Sequence, residues 1–240
     1  MIYTVTFNPA LDYVMKVEKL QFDDINRTYG EELNYGGKGI NVSVILSRLG
    51  VENTALGFQA GFTGEKLEEL LKADGIKTDF IALKNGMTRI NVKIKAQTEL
   101  DINAVGPPIE EDEVERLFEK IKAFQSGDVI VLAGSVPGTL PPDIYEKILS
   151  VTSKSGVESV VDATGDLLLN VLKYHPFLIK PNHFELGDLF GVKIRDEAEI
   201  EKYAKQLQEK GARNVLVSRG KEGATLITEH GGVHTIGIIP

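Results

Sequence analysis

The chain contains no cysteine, which removes disulfides, thiolate metal sites and cysteine nucleophiles together. It has no apolar run of the 18 or so residues that a membrane span needs. No signal peptide is read at the start, since Met1 runs at once into the strand-like IYTVTF. A cytoplasmic protein is the expectation. Basic residues are also short, 27 against 35 acidic ones, for a net charge of −8. Such a surface repels nucleic-acid phosphate, and no basic run offsets it. Internal repeats and low-complexity segments are missing too, and the four histidines at 175, 183, 230 and 234 have no metal-ligand spacing. At 240 residues, a packed α/β core of one large or two small domains is within reach.

What is present is an alternation of β-like and helical patterns, implying βαβ units and a largely parallel sheet. Apolar strands are predicted at Ile2–Phe7, Val129–Ala133, Ser159–Asp162, Phe177–Lys180 and Val215–Ser218. Amphipathic helices are predicted at Glu65–Ala73, Glu110–Phe124, Asp143–Ser153, Leu167–Tyr174 and Asp196–Lys210. Four short alternating segments, Tyr13–Leu20, Thr28–Tyr35, Thr88–Ala96 and Glu99–Ala104, stand outside that order and predict a small separate sheet inserted as a flap. Within it Ile90, Val92 and Ile94 face one way and Asn91, Lys93 and Lys95 the other. A one-sided sheet of this size is marginal alone, so ligand, main domain or a second subunit must cover it.

In open α/β sheets ligands bind beyond the carboxyl ends of the strands. Turn-forming and polar residues gather at those ends here: NPALD with Asp12, GSVPG, DATGD, KPNHFE and SRGKEG. Each alone is an ordinary loop; five on one edge point to a shared site. The stretch YGGKGINVSVILSR is the most informative. Glycines 36, 37 and 39 expose backbone N–H groups, a helix of about Ile40–Leu49 follows, and Lys38 adds a full charge, which together read as an anion site in preference to the alternative, a plain loop before a helix. Walker A spacing is absent, as is any G-x-G-x-x-G after the first strand. Arg89, beside Thr88 on a flap strand, could fork onto a phosphate. SRGKEG is equally readable as a hairpin turn into a strand at Ala224–Thr228, and Glu185 as a capping carboxylate for a helix starting near Asn182.

In their order along the chain, TFNPALD, GGKGINVSVILSRLG, GFTGEKLEELL, TRINVKIK, LAGSVPGTLP, IKPNHFEL and VSRGKEGA resemble the ribokinase-like carbohydrate kinases of the phosphofructokinase B family, over the whole chain. The resemblance is greatest to the fructose 1-phosphate branch, with tagatose-6-phosphate kinases sharing nearly all of it. It implies a ribokinase-like three-layer fold: a mostly parallel sheet flanked by helices, plus a small β-sheet lid with strands at about 13–35 and 87–105. The chain would be a single domain whose C-terminal part lies outside the sequence. It implies phosphoryl transfer from MgATP to the 6-hydroxyl of fructose 1-phosphate, with the lid closing over the sugar to exclude water.

Carried over by position, Asp12, Gly37 and Asn41 are expected at the sugar, and Lys38, Arg89 and Ser135 at its phosphate. Arg27 is expected to reach a neighbouring subunit's site in a homodimer formed through the lid. Lys180, Asn182 and Glu185 are expected to arrange the ATP phosphates and, indirectly through Glu185, Mg²⁺. Ser218, Arg219, Gly220, Lys221, Glu222 and Gly223 are expected to wrap the nucleotide. The family's base is an Asp in a G-A-G-D segment that does not occur in this sequence and is expected beyond Pro240, its last residue. No residue of the chain is therefore assigned as base, Asp162 and Asp166 included. The TIGIIP ending favours a fragment of a longer enzyme; the alternative is a non-catalytic sugar-phosphate-binding protein.

Overall fold

The computed structural model describes residues 1–237. Ile238, Ile239 and Pro240, which end the TIGIIP stretch, lie outside the described residues, and so does the position beyond Pro240 expected for the base. The chain divides into two compact units, one of Tyr3–Leu117 with Gly134–Leu140, the other of Met1–Ile2, Phe118–Ala133 and everything from Pro141 on.

In the first unit the chain runs β1 (Ile2–Thr6), β2 (Ala10–Lys16), β3 (Gly30–Gly36), α1 (Lys38–Arg48), β4 (Asn53–Gln59), α2 (Gly61–Ala73), β5 (Lys77–Thr78), β6 (Ile81–Ala82), β7 (Arg89–Lys95) and β8 (Glu99–Ile102). Strands β1, β4 and β5 are neighbours in one sheet, and β6 also pairs with β4. Its core is Leu11, Ile40, Val44, Ala55, Leu67, Leu71 and Ile76, with Tyr35, Leu70, Phe80 and Ile90 packed against them. Ile40 and Val44, then Leu67 and Leu71, are i,i+4 pairs, so α1 and α2 each bury one stripe. Each such side chain contributes about 1.5–3 kcal/mol.

The four segments outside the alternation form a separate sheet of order β3-β2-β7-β8. β2 pairs antiparallel with β3 and parallel with β7. Asp12 thus stands between Asn34 and Asn91. The register alternates, so Leu11, Tyr13, Leu33 and Ile90 share the other face, where they and Phe62 line a cleft of about 490 Å³ beside α2.

Helix α3 (Glu111–Lys122) carries the chain from the first unit into the second. There follow β9 (Val129–Ala133), α4 (Ile144–Thr152), β10 (Glu158–Asp162), α5 (Gly165–Val171), β11 (Leu178–Ile179), α6 (His183–Phe190), α7 (Glu197–Glu209), β12 (Asn214–Ser218), β13 (Ala224–Ile227) and β14 (Val233–Ile236). Strands β9 to β12 are parallel, and β13 and β14 add an antiparallel edge. The whole is therefore mostly parallel sheet flanked by helices, with a second small sheet. Among the described residues no helix is long and apolar enough to cross a membrane.

Several boundaries differ from the sequence reading. Asp12 is inside β2 and not in a loop past the tip of β1, because the chain re-enters a strand directly after Pro9. Helix α1 begins at Lys38, two residues early, and α2 at Gly61, four residues early. Strands β4 and β14 were not anticipated.

Candidate functional site

In the first unit, β3 ends at Gly36 and α1 starts two residues later. Gly37 is the N-cap with φ 129° and ψ 132°, a left-handed-side conformation that other residues rarely adopt, and no side chain caps the helix. The first N–H groups of α1 therefore have no side-chain cap, and the helix dipole adds partial positive charge at that end. Lys38 is the first helical residue and is exposed. A Cβ placed on Gly134 would lie 3.8 Å from the Lys38 Cβ, so the Gly134–Ser135 loop runs beside it. Asn41 is exposed on the next turn, its amide bonded to the Gly37 carbonyl at 2.9 Å.

Asp12 is held from two sides. Asn91 Nδ2 donates to its Oδ1 at 2.9 Å, and Lys93 Nζ pairs with its Oδ2 at 2.8 Å. That hydrogen bond holds the Lys93 ammonium above its usual range, against the opposing effect of burial. The Asp12 carboxylate also abuts Gly36, where a Cβ would come within 2.8 Å of Oδ1. Arg89 opens β7 and is half-buried; Nε donates to the Asn8 carbonyl at 3.2 Å and Nη1 to the Ala104 carbonyl at 3.3 Å. Burial lowers its guanidinium, while the Asp12 charge works the other way. The buried Thr88 fixes its start: Thr88 Oγ1 accepts from the Ala60 amide at 2.9 Å, and Thr63 Oγ1 donates to the Thr88 carbonyl at 2.7 Å.

Asp12, Gly37, Lys38, Asn41, Arg89 and Ser135 all belong to this unit, around the start of α1 and the root of the small sheet. Arg27 lies apart, exposed in the β2–β3 loop beyond the Lys16–Gly30 pair that closes the hairpin. Asn91 and Lys93 were not among the expected site residues. The alternation along TRINVKIK, which puts both on one face, is the signal that could have found them.

The second unit assembles the other set. Lys180 follows β11, and its Nζ meets Asp162 Oδ2, at the end of β10, at 3.2 Å. Asn182 and Glu185 form a reciprocal capping box on α6: Asn182 Oδ1 accepts from the amides of Phe184 and Glu185, both at 2.9 Å, and Glu185 Oε2 from the Asn182 amide at 2.8 Å. A parallel bridge joins Asn182 to Ser218. Residues 219–223 are a tight turn between antiparallel β12 and β13, closed by the Arg219 amide on the Gly223 carbonyl at 2.8 Å. The Arg219 guanidinium is turned into the protein, 3.0 Å from Glu197 and donating to the Glu222 carbonyl at 3.1 Å. It anchors the loop, while Gly220, Lys221 and Glu222 are exposed. Among the described residues no group of three or more His, Cys, Asp or Glu could hold a metal by itself.

An uncapped helix start with a lysine and arginine beside a carboxylate–amide pair is an arrangement for a ligand both anionic and rich in hydroxyls. Residues 5–240 match the model of the pfkB family carbohydrate kinases, and the chain belongs to that family. It is 44% identical over 228 residues to the 1-phosphofructokinase of Bacillus subtilis, covering 95% of this chain and 75% of that protein. It is 40% identical over 225 residues to the D-tagatose-1-phosphate kinase of Bacillus licheniformis, covering 93% of this chain and 74% of that protein. Phosphofructokinase-2 from Escherichia coli, crystallised with fructose-6-phosphate, has a similar structure with a TM-score of 0.92 at 27% identity, covering 100% of this chain and 80% of that one.

Proposed function

We propose that the protein is an ATP-dependent sugar-phosphate kinase that phosphorylates fructose 1-phosphate at its 6-hydroxyl to give fructose 1,6-bisphosphate, in the cytoplasm. The observation that carries this is the single cluster of Asp12, Gly37, Lys38 and Arg89, which joins a hydroxyl acceptor to cations and uncapped helix amides. Asp12, Gly37 and Asn41 hold the sugar, while Lys38, Arg89 and Ser135 hold the phosphate it already carries. Arg89 suits this role because burial between carbonyls fixes its fork in advance. Uncharged acceptors such as ribose or a nucleoside would bring no charge to set against Lys38 and Arg89.

Lys180, Asn182, Glu185 and residues 218–223 receive the nucleotide. Phosphoryl transfer is mostly positioning and charge neutralisation, which lysines and backbone amides supply. The donor set fits Mg²⁺ carried on the nucleotide: such an ion keeps several waters and needs one or two carboxylates, and Glu185 is the carboxylate available through water. When bound, it would neutralise charge on the phosphates. Asp162 is engaged by Lys180, and no carboxylate of the chain is assigned as base.

The lid pairs two copies in the same reading. Leu33, Leu100 and Ile102 are exposed on its strands and Phe22, Ile25 and Tyr29 on its hairpin loop, a large apolar surface for a monomer. Arg27 in that loop is then placed to serve the partner's site.

The test is a coupled assay of the native polypeptide with fructose 1-phosphate, fructose 6-phosphate, tagatose 1-phosphate and tagatose 6-phosphate. The highest kcat/KM is expected for fructose 1-phosphate. A higher value for either tagatose phosphate would make the protein a tagatose-phosphate kinase, the reading favoured by its 40% identity to one.

A further inference from the structure

We propose that Asn8 is a positioning residue for Arg89: its main-chain carbonyl and, through the segment after β8, its side chain hold the guanidinium ready for the sugar phosphate. This rests on the sugar-phosphate reading above and adds to it a residue that touches no ligand.

Arg89 is held by two main-chain carbonyls, Asn8 on Nε at 3.2 Å and Ala104 on Nη1 at 3.3 Å. They come from separate connections, β1–β2 and β8–α3. The first is short and lies between paired strands. The second is not self-supporting: residues 103–110 form neither helix nor strand, and the β7–β8 pairing ends at Ile102. What ties it down is Asn8 again, whose Nδ2 donates to the Val105 carbonyl at 2.8 Å. A carbonyl only accepts, so the amide orientation follows, with Oδ1 turned toward Gly106. A Cβ on Gly106 would collide with that oxygen, so the segment closes on Asn8 only with glycine there. Asn8 therefore supplies one acceptor of Arg89 itself and fixes the residue next to the other.

The way Arg89 is held suits a binding arginine. Arg213 and Arg219 are both neutralised by carboxylates, Glu158 and Glu229 for one and Glu197 for the other. Arg89 makes no ion pair among the described residues, and carbonyls fix its plane without cancelling its charge. Of the five N–H groups of a guanidinium, two are spent on these carbonyls, and Nη2 keeps accessible surface with no partner among the described residues. The Nη1–Nη2 side of the fork is thus left for a phosphate, already oriented. Release of Val105 would free the Ala104 carbonyl and let the guanidinium swing, so ordering it would fall to the ligand.

The test is a double-mutant cycle on Asn8→Ala and Arg89→Gln in the native polypeptide, read by calorimetric titration with fructose 1-phosphate. ATP binding, which uses the other unit, is the control for folding. Asn8→Ala is expected to weaken fructose 1-phosphate about three- to tenfold, the worth of one or two hydrogen bonds, and to leave ATP affinity unchanged. In the Arg89→Gln background the same replacement should change nothing, because there is no guanidinium left to position. Asn8→Asp is a second variant of nearly the same shape that cannot donate to Val105, and it should weaken the sugar phosphate at least as much. Equal factors in both backgrounds, or no loss in either variant, would overturn the proposal. Loss of ATP binding in both variants would make Asn8 structural and overturn it too. If Arg89→Gln alone binds fructose 1-phosphate as wild type does, Arg89 is not at the phosphate and there is nothing for Asn8 to position. Wild type that binds no ketose phosphate at all overturns the sugar-phosphate reading, and this one with it.

Discussion

Gly36 and Asp12 occupy a space that admits no added methyl group. A Cβ on Gly36 would sit 2.8 Å from Asp12 Oδ1 and 3.0 Å from its Cγ, and the strand backbone there imposes no conformational bar to alanine. Gly36→Ala should therefore fold but displace the carboxylate from Asn91 and Lys93. A misplacement of this kind is expected to weaken fructose 1-phosphate binding by about 10- to 100-fold while leaving ATP affinity unchanged. Titration of both ligands checks it, and an unaltered sugar affinity would remove Asp12 from the sugar site. At this scale much was legible in the sequence. Asp12, Lys38 and Arg89 stand out as charges placed among glycines or next to strand ends. Asn91 and Lys93 did not, because an amide and a lysine on an alternating strand read as a solvated face until the neighbouring strand is known.

At the scale of elements, local signals located most helices and the parallel strands β9, β10 and β12 to within one or two residues. The strand missed in the middle of the first unit, β4, has a physical reason. Gly57 has φ 146°, and a Cβ there would lie 2.0 Å from the Thr6 carbonyl oxygen, so close approach to β1 demands glycine in mid-strand. That glycine breaks up the apolar run by which a buried strand is recognised. The early start of β2 was hidden similarly, since Pro9 reads as a loop and only pairing with β3 and β7 makes Ala10–Asp12 extended. The capping box of α6 was legible as a possibility and gives a second prediction. Asn182→Ala removes the acceptor for two amides and should cost about 1 kcal/mol of stability. If Asn182 also serves the nucleotide, the KM for ATP should rise beyond what the loss of stability explains. A change in melting temperature with no change in KM would confine Asn182 to the cap.

For the whole molecule, carboxylates set the response to acid. The Tyr13 hydroxyl and then Thr28 hold Glu31 below the usual carboxylate range, Lys84 holds Asp112 there, and Arg213 holds Glu229 there. Burial works to raise Asp128, but the amino terminus of Met1 and the Gln125 amide outweigh it and lower the group. All four groups are lowered in the folded state, so the unfolded chain takes up protons first as pH falls. Their contribution is complete above the unfolded carboxylate range and is lost as pH drops through the lowered values. The thermal midpoint should be flat from about pH 7 to pH 5 and fall steadily below about pH 4. A midpoint unchanged down to about pH 3 would contradict this. The lid surface predicts association as well: sedimentation at micromolar concentration should give a dimer, and a monomer would leave Leu33, Leu100 and Ile102 unexplained.

The central claim is phosphoryl transfer from ATP to the 6-hydroxyl of fructose 1-phosphate. Phosphorus NMR of the native polypeptide with ATP, Mg²⁺ and fructose 1-phosphate reads it directly. The account predicts that the ATP signals give way to ADP while a second phosphomonoester resonance grows in, matching fructose 1,6-bisphosphate. A spectrum in which fructose 1-phosphate stays intact and ATP is unchanged, or gives inorganic phosphate alone, would contradict it.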